Sequence, residues 1–225
     1  MIRAVVFDFD GVIANSEPLH FRAYRDVLAD RGLTLTESAY YERYLGYDDV
    51  GAFRAIAADA SVALTEQEVA VLVARKALRL EALEKAGSVL FPGAREAIVR
   101  MSAVWPIAIA SGALRAEIQR VLDHESLRAH FPVLVSAEDT PQSKPDAAPY
   151  LRAVELLGAR MASLAPAECV AIEDSRWGLL SARSAGLRTV AITHTYPASA
   201  LADAADVVIP HLDMFTPDLL ASLAR

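Results

Sequence analysis

Six short runs along the chain are apolar at nearly every position: Arg3–Phe7, Ile107–Ala110, Val133–Val135, Cys169–Ile172, Thr189–Ile192 and Asp206–Ile209. A strand with one wet face alternates apolar and polar residues, so unbroken apolar runs predict strands buried on both faces. Helical periodicity lies between the later runs, at Ala94–Ser102, Arg115–His124, Pro145–Leu157 and Trp177–Ala185, with Gly186 as a stop for the last. Strands that alternate with helices predict an α/β fold, a doubly wound parallel sheet covered by helices on both faces.

Residues 16–88 break this rhythm, offering several helical patterns and no convincing strand. They are expected to form an inserted α-helical domain, leaving 1–15 and 89–225 as the α/β core domain. Thr34–Glu37 and Thr65–Glu68 each fit a capping box, Gly32 suits the close of the first helix, and Pro92-Gly93 marks the return to the sheet.

Composition adds exclusions. With 54% hydrophobic and 23% charged residues among 225, the chain is neither disordered nor fibrous. No stretch reaches the roughly 18 apolar residues of a membrane span. The run Ala4–Phe7 is stopped at once by Asp8, unlike a signal peptide, so a cytoplasmic protein without a membrane partner is expected. The single cysteine, Cys169, lies in an apolar run and reads as a small buried hydrophobe. A net charge of −7 argues against a nucleic-acid partner, while a local cationic pocket for a small anion remains compatible with it.

Several apolar runs end in polar chemistry. Val5-Val6-Phe7 runs into Asp8, Ile107–Ala110 into Ser111-Gly112, and Val170-Ala171-Ile172 into Glu173-Asp174, while Lys144 lies on the loop after Val133–Val135. In a parallel sheet these ends share one edge, where ligands of open α/β sheets bind. Asp8, Asp10 and Asp174 would repel one another without a hard cation between them, and carboxylate oxygens are the ligands magnesium prefers. Lys144 and the ion could then neutralise a phosphoryl group while Ser111 and nearby backbone N–H groups donate to its oxygens. Asp8 suits nucleophilic attack on phosphorus, and Asp10, just before the turn residue Gly11, suits proton transfer to and from the leaving oxygen. No Walker A, Gly-x-Ser-x-Gly or His-Glu-x-x-His pattern competes with this reading.

Asp8-Phe9-Asp10-Gly11-Val12, Ser111, Lys144-Pro145 and Glu173-Asp174, in that order, resemble the four motifs of the haloacid dehalogenase superfamily of phosphotransferases. The helical insertion looks like the cap of its β-phosphoglucomutase and phosphoglycolate phosphatase branch. The resemblance implies a Rossmann-like core, with Asp8 as phosphorylated nucleophile, Asp10 as general acid/base, and Ser111 and Lys144 as phosphate ligands. Asp8, Asp174, the Asp10 carbonyl and the adjacent Glu173 are the implied magnesium site. Gly112, and in the cap His20, Gly46 and Lys76, match substrate-binding positions. The second aspartate, absent from dehalogenases, argues against carbon–halogen cleavage.

The expected function is therefore a magnesium-dependent phosphatase for a small phosphorylated metabolite. A sugar phosphomutase is the alternative, disfavoured because Tyr47-Asp48-Asp49 stands where the mutase carries an arginine for a second phosphate. A signalling receiver or an idle phosphate-binding protein is a weaker alternative. The helical insertion and Asp10 both speak against a receiver.

Overall fold

The computed structural model describes residues 1–45, 47–161 and 163–223. The chain divides into two compact units, one made of Met1–Asn15 with Val89–Arg225 and the other of Ser16–Ser88. In chain order the elements begin with β1 (Ala4–Phe7), α1 (Glu17–Ala29), α2 (Glu37–Ala39), α3 (Asp49–Asp59) and α4 (Glu66–Glu84). There follow α5 (Ala94–Ser102), β2 (Ile107–Ala110), α6 (Arg115–His124), β3 (Val133–Val135), α7 (Ala148–Gly158) and β4 (Cys169–Glu173). The last are α8 (Arg176–Ser184), β5 (Arg188–Ile192), α9 (Ala198–Leu201), β6 (Val207–Ile209) and α10 (Pro217–Ser222).

The first unit holds a six-stranded sheet, all parallel, in the order β3-β2-β1-β4-β5-β6. This is the doubly wound α/β fold expected from the alternation of apolar runs and helices. The four residues of β1 are fully or almost fully buried, so burial on both faces explains the missing alternation. Small residues of the strands (Ala4, Ala108, Ala110, Ala171) share a core cluster with Tyr150, Ala153 and Leu157 of α7. Phe7 makes edge-on ring contacts with Phe131 and Phe215, at 6.0 and 5.6 Å between centroids. The Arg100 guanidinium donates to the carbonyls of Leu212 and Phe215, tying the last segment to α5.

Helix boundaries differ from expectation where local polar groups intervene. α7 starts at Ala148 rather than Pro145, because the Asp146 carboxylate accepts the Ala148 N–H at 2.8 Å and holds the preceding residues in a turn. α8 runs Arg176–Ser184, capped by Ser175, with Gly186 in the left-handed conformation (φ +87°) just beyond it.

The second unit is helical, with no strand among its described residues. Phe21, Tyr24 and Leu28 of α1, Phe53 and Ile56 of α3 and Val69 and Leu72 of α4 form its core. α4 opens on a full capping box, Thr65 and Glu68 each bonding the other's backbone N–H. The box expected at Thr34–Glu37 is not formed. Thr36, next to the helix, caps it instead and accepts the Ala39 N–H at 3.2 Å. Among the described residues no helix is long and apolar enough to cross a membrane.

The Thr65 cap gives a direct check on this unit. Thr65→Ala, which strips one partner from the first turn of α4, should lower stability by about 1 kcal/mol. Urea denaturation followed by circular dichroism measures this, and a midpoint equal to that of the parent chain would contradict it.

Candidate active site

β1 lies between β2 and β4, with Phe7 beside Ile109 and Ile172, so Asp8 leaves the sheet where the strand order turns back on itself. Its N–H still donates to the Ile172 carbonyl at 3.0 Å. The chain then turns: Gly11 adopts φ +78° and its N–H bonds the Ala14 carbonyl at 2.9 Å. A Cβ on Gly11 would stand 2.0 Å from an Asp174 carboxylate oxygen. Glycine is thus required here for backbone conformation and for space.

Glu173 ends β4 fully buried, and Asp174 follows it. Ser175 caps α8 by accepting the Gly178 N–H, which brings the helix N-terminus against Glu173. A Cβ on Gly178 would lie 1.9 Å from the Glu173 carboxyl group. Asp8, Glu173 and Asp174 gather ligand oxygens within 4.8 Å of one another, all buried. Lys144 stands against them, its Nζ 2.8 Å from Asp8 Oδ1 and 2.6 Å from Glu173 Oε1. The Tyr150 hydroxyl also donates to Glu173 Oε1, at 2.7 Å, and the Tyr150 ring lies 5.2 Å below the Lys144 ammonium.

The electrostatics follow from crowding in a dry place. Burial, and after it the Glu173 charge, raise the Asp8 carboxyl well above the usual carboxylate range. The same causes push Asp174 up to about 7. Burial disfavours the Lys144 charge, but Asp8 and Glu173 outweigh it and hold its pKa above the ordinary lysine value. Three buried carboxylates facing a single ammonium form a donor set that fits a divalent cation.

Asp10 lies half-buried on the turn, its backbone bridged to Ala14, and its side chain is outside the three-carboxylate cluster. Ser111 directly follows β2 and is buried, its Oγ accepting the Ala113 N–H at 3.1 Å. Gly112 beside it is exposed, with open space where a Cβ would stand.

The helical unit brings together His20 and Lys76. Lys76, 2% exposed, has its Nζ 2.9 Å from His20 Nδ1, 2.7 Å from Asp49 Oδ1 and 4.8 Å above the Tyr24 ring. The Tyr24 hydroxyl donates to the same Asp49 oxygen at 2.6 Å. Asp48 caps α3 by accepting the Gly51 N–H. Gly46 lies outside the described residues.

Sequence reasoning did not single out Tyr150, Gly178 or His194. His194 donates from Nδ1 to the Gly11 carbonyl at 2.9 Å, and burial lowers its pKa. Tyr150 occupies a core position of α7 and carries no local signal of its polar contact.

A family model for haloacid dehalogenase-like hydrolases matches residues 2–186. The chain belongs to that family. This haloacid dehalogenase-like hydrolase is 33% identical over 218 residues to the protein CbbY of Rhodobacter capsulatus, covering 94% of each chain. It is 32% identical over 193 residues to hexitol phosphatase B of Escherichia coli (strain K12), covering 85% of this chain and 83% of that one. Among solved structures, a β-phosphoglucomutase from Clostridium difficile superposes with TM-score 0.79 at 20% identity, covering 100% of this chain and 97% of the other, a likeness of fold. The hydrolase thus stands among the phosphatases of its family.

The close approach at α8 can be tested. Gly178→Ala should destabilise the protein by about 1–3 kcal/mol through overpacking against Glu173, and lower the thermal midpoint accordingly. An unchanged midpoint in differential scanning calorimetry would contradict the packing described.

Proposed function

We propose that this hydrolase is a magnesium-dependent phosphatase that cleaves a monophosphorylated sugar or sugar alcohol through an aspartyl-phosphate on Asp8. The observation that carries the reading is the Asp8 carboxylate itself, buried at the switch point of the sheet, 2.8 Å from the Lys144 ammonium and grouped with Glu173 and Asp174. Curated relatives at 30% identity or above support the substrate class: one is named hexitol phosphatase B and another, from Thermotoga maritima, phosphorylated carbohydrates phosphatase.

In this mechanism an Asp8 oxygen attacks phosphorus, forming the acyl phosphate as the bond to the sugar oxygen breaks, and Asp10 gives its proton to that departing oxygen. Asp10 then takes a proton from the water that attacks the acyl phosphate. Inorganic phosphate leaves and the Asp8 carboxylate returns. Lys144, aligned by Glu173, neutralises the phosphoryl oxygens, and Ser111 with backbone N–H groups near Gly112 donates to them. A magnesium ion held by Asp8, Asp174, the Asp10 carbonyl and Glu173 would supply further charge neutralisation. Glu173 already accepts from Lys144 and Tyr150, so orienting the lysine is its main task in this reading.

On the family resemblance the helical unit is assigned the role of cap, and His20, Gly46 and Lys76 that of substrate-binding residues. Lys76 is neutralised by Asp49, which favours an uncharged hydroxylated leaving group over one with a second phosphate, and so a phosphatase over a mutase. A cytoplasmic setting belongs to the same reading.

A phosphate-release screen over sugar and polyol phosphates, run with magnesium and with excess chelator, tests it. Release should require the metal, and Asp8→Asn should lower kcat by about a thousandfold or more, since an amide is a poor nucleophile. Full activity in that variant would sink the mechanism. Isomerisation of a sugar 1-phosphate primed with its bisphosphate, without free phosphate, would establish the mutase instead.

A further inference from the structure

The loop after β5 carries polar groups that the mechanism above does not use. β5 runs parallel to β4, with Ala191 beside Glu173, so its carboxyl end opens at the same sheet edge as Asp8 and Asp174. Just beyond it, His194 directs Nδ1 to the Gly11 carbonyl at 2.9 Å. Its ring lies on that of Phe91, with centroids 4.0 Å apart and planes 18° from parallel. Phe91 is itself tied to the nucleophile turn, its N–H donating to the Ile13 carbonyl at 2.9 Å.

A carbonyl oxygen only accepts, so Nδ1 of His194 carries the proton and donates it to Gly11. That donor matters because Gly11, in the left-handed region at φ +78°, belongs to the residue type with the widest backbone freedom. The stack on Phe91 holds the histidine in turn, so the loop after β5 anchors the segment that follows Asp8. Hydrogen bonds of this kind tune a site although their donors never touch the ligand.

We infer that His194 is a positioning residue that fixes the Asp8–Gly11 turn through the Gly11 carbonyl. The inference rests on the reading of Asp8 as nucleophile.

The chemistry of the side chains supplies the controls. His194→Phe keeps the stack and removes the donor, whereas His194→Asn keeps an N–H near the Nδ1 position and removes the stack. With the purified full chain, His194→Phe should lower kcat for an aryl phosphate about tenfold with KM held within about twofold, and His194→Asn should recover most of the loss. Phe91→Leu, which removes the stacking ring and leaves the donor, should lower kcat by a smaller factor. A parental kcat in His194→Phe, or equal losses in the Phe and Asn variants, overturns the role of His194, and a parental kcat in Phe91→Leu overturns it if the histidine variants do not fold. Turnover retained in Asp8→Asn would mark failure of the nucleophile reading itself, so the two failures are distinguishable.

Discussion

Mutual repulsion among Asp8, Glu173 and Asp174 governs the construction of the site. Their oxygens lie within 4.8 Å of one another in a buried place, where a charge without a partner costs several kcal/mol. Lys144 answers part of that charge by reaching both Asp8 and Glu173, and Tyr150 gives Glu173 a further donor. The remainder is the electrostatic basis for a divalent cation. The same crowding makes particular demands on the backbone. Gly11 and Gly178 leave room for the carboxyl groups of Asp174 and Glu173, and the N-terminus of α8, with its positive dipole end, comes against Glu173.

The sheet makes this concentration of charge possible. Because β1 sits between β2 and β4, the ends of strands far apart in sequence open side by side, and Asp8 remains hydrogen-bonded to Ile172 as it leaves. β1, β2 and β4 are buried throughout, so the polar groups stand at the rim of a rigid apolar platform. Packing of that kind holds polar groups in place better than a loop could alone.

The helical unit solves a similar problem with different parts. Lys76 is a buried cation whose charge is met by Asp49, with His20 and the face of Tyr24 completing its surroundings. The acidic stretch at Asp48-Asp49, which in sequence looks like a uniformly repulsive loop, separates into two roles. Asp48 caps α3 and Asp49 balances the lysine.

Much of the fold and the outline of the site were legible in the chain itself. Burial of a strand on both faces writes an unbroken apolar run, helices write their own period, and Asp8, Ser111 and Glu173-Asp174 stand where such runs stop; these are local signals. The capping box at Thr65 was equally local, whereas the competition between Thr34 and Thr36 was settled by where the helix began. Only tertiary structure decided which partners the polar groups chose. Lys144 meets Glu173 across 29 residues and His194 meets Gly11 across 183, and no periodicity spans such distances. Tyr150 and Gly178 acquire their importance from the same cause, since a hydrogen bond or a close approach between distant segments exists only once the sheet has brought their ends together.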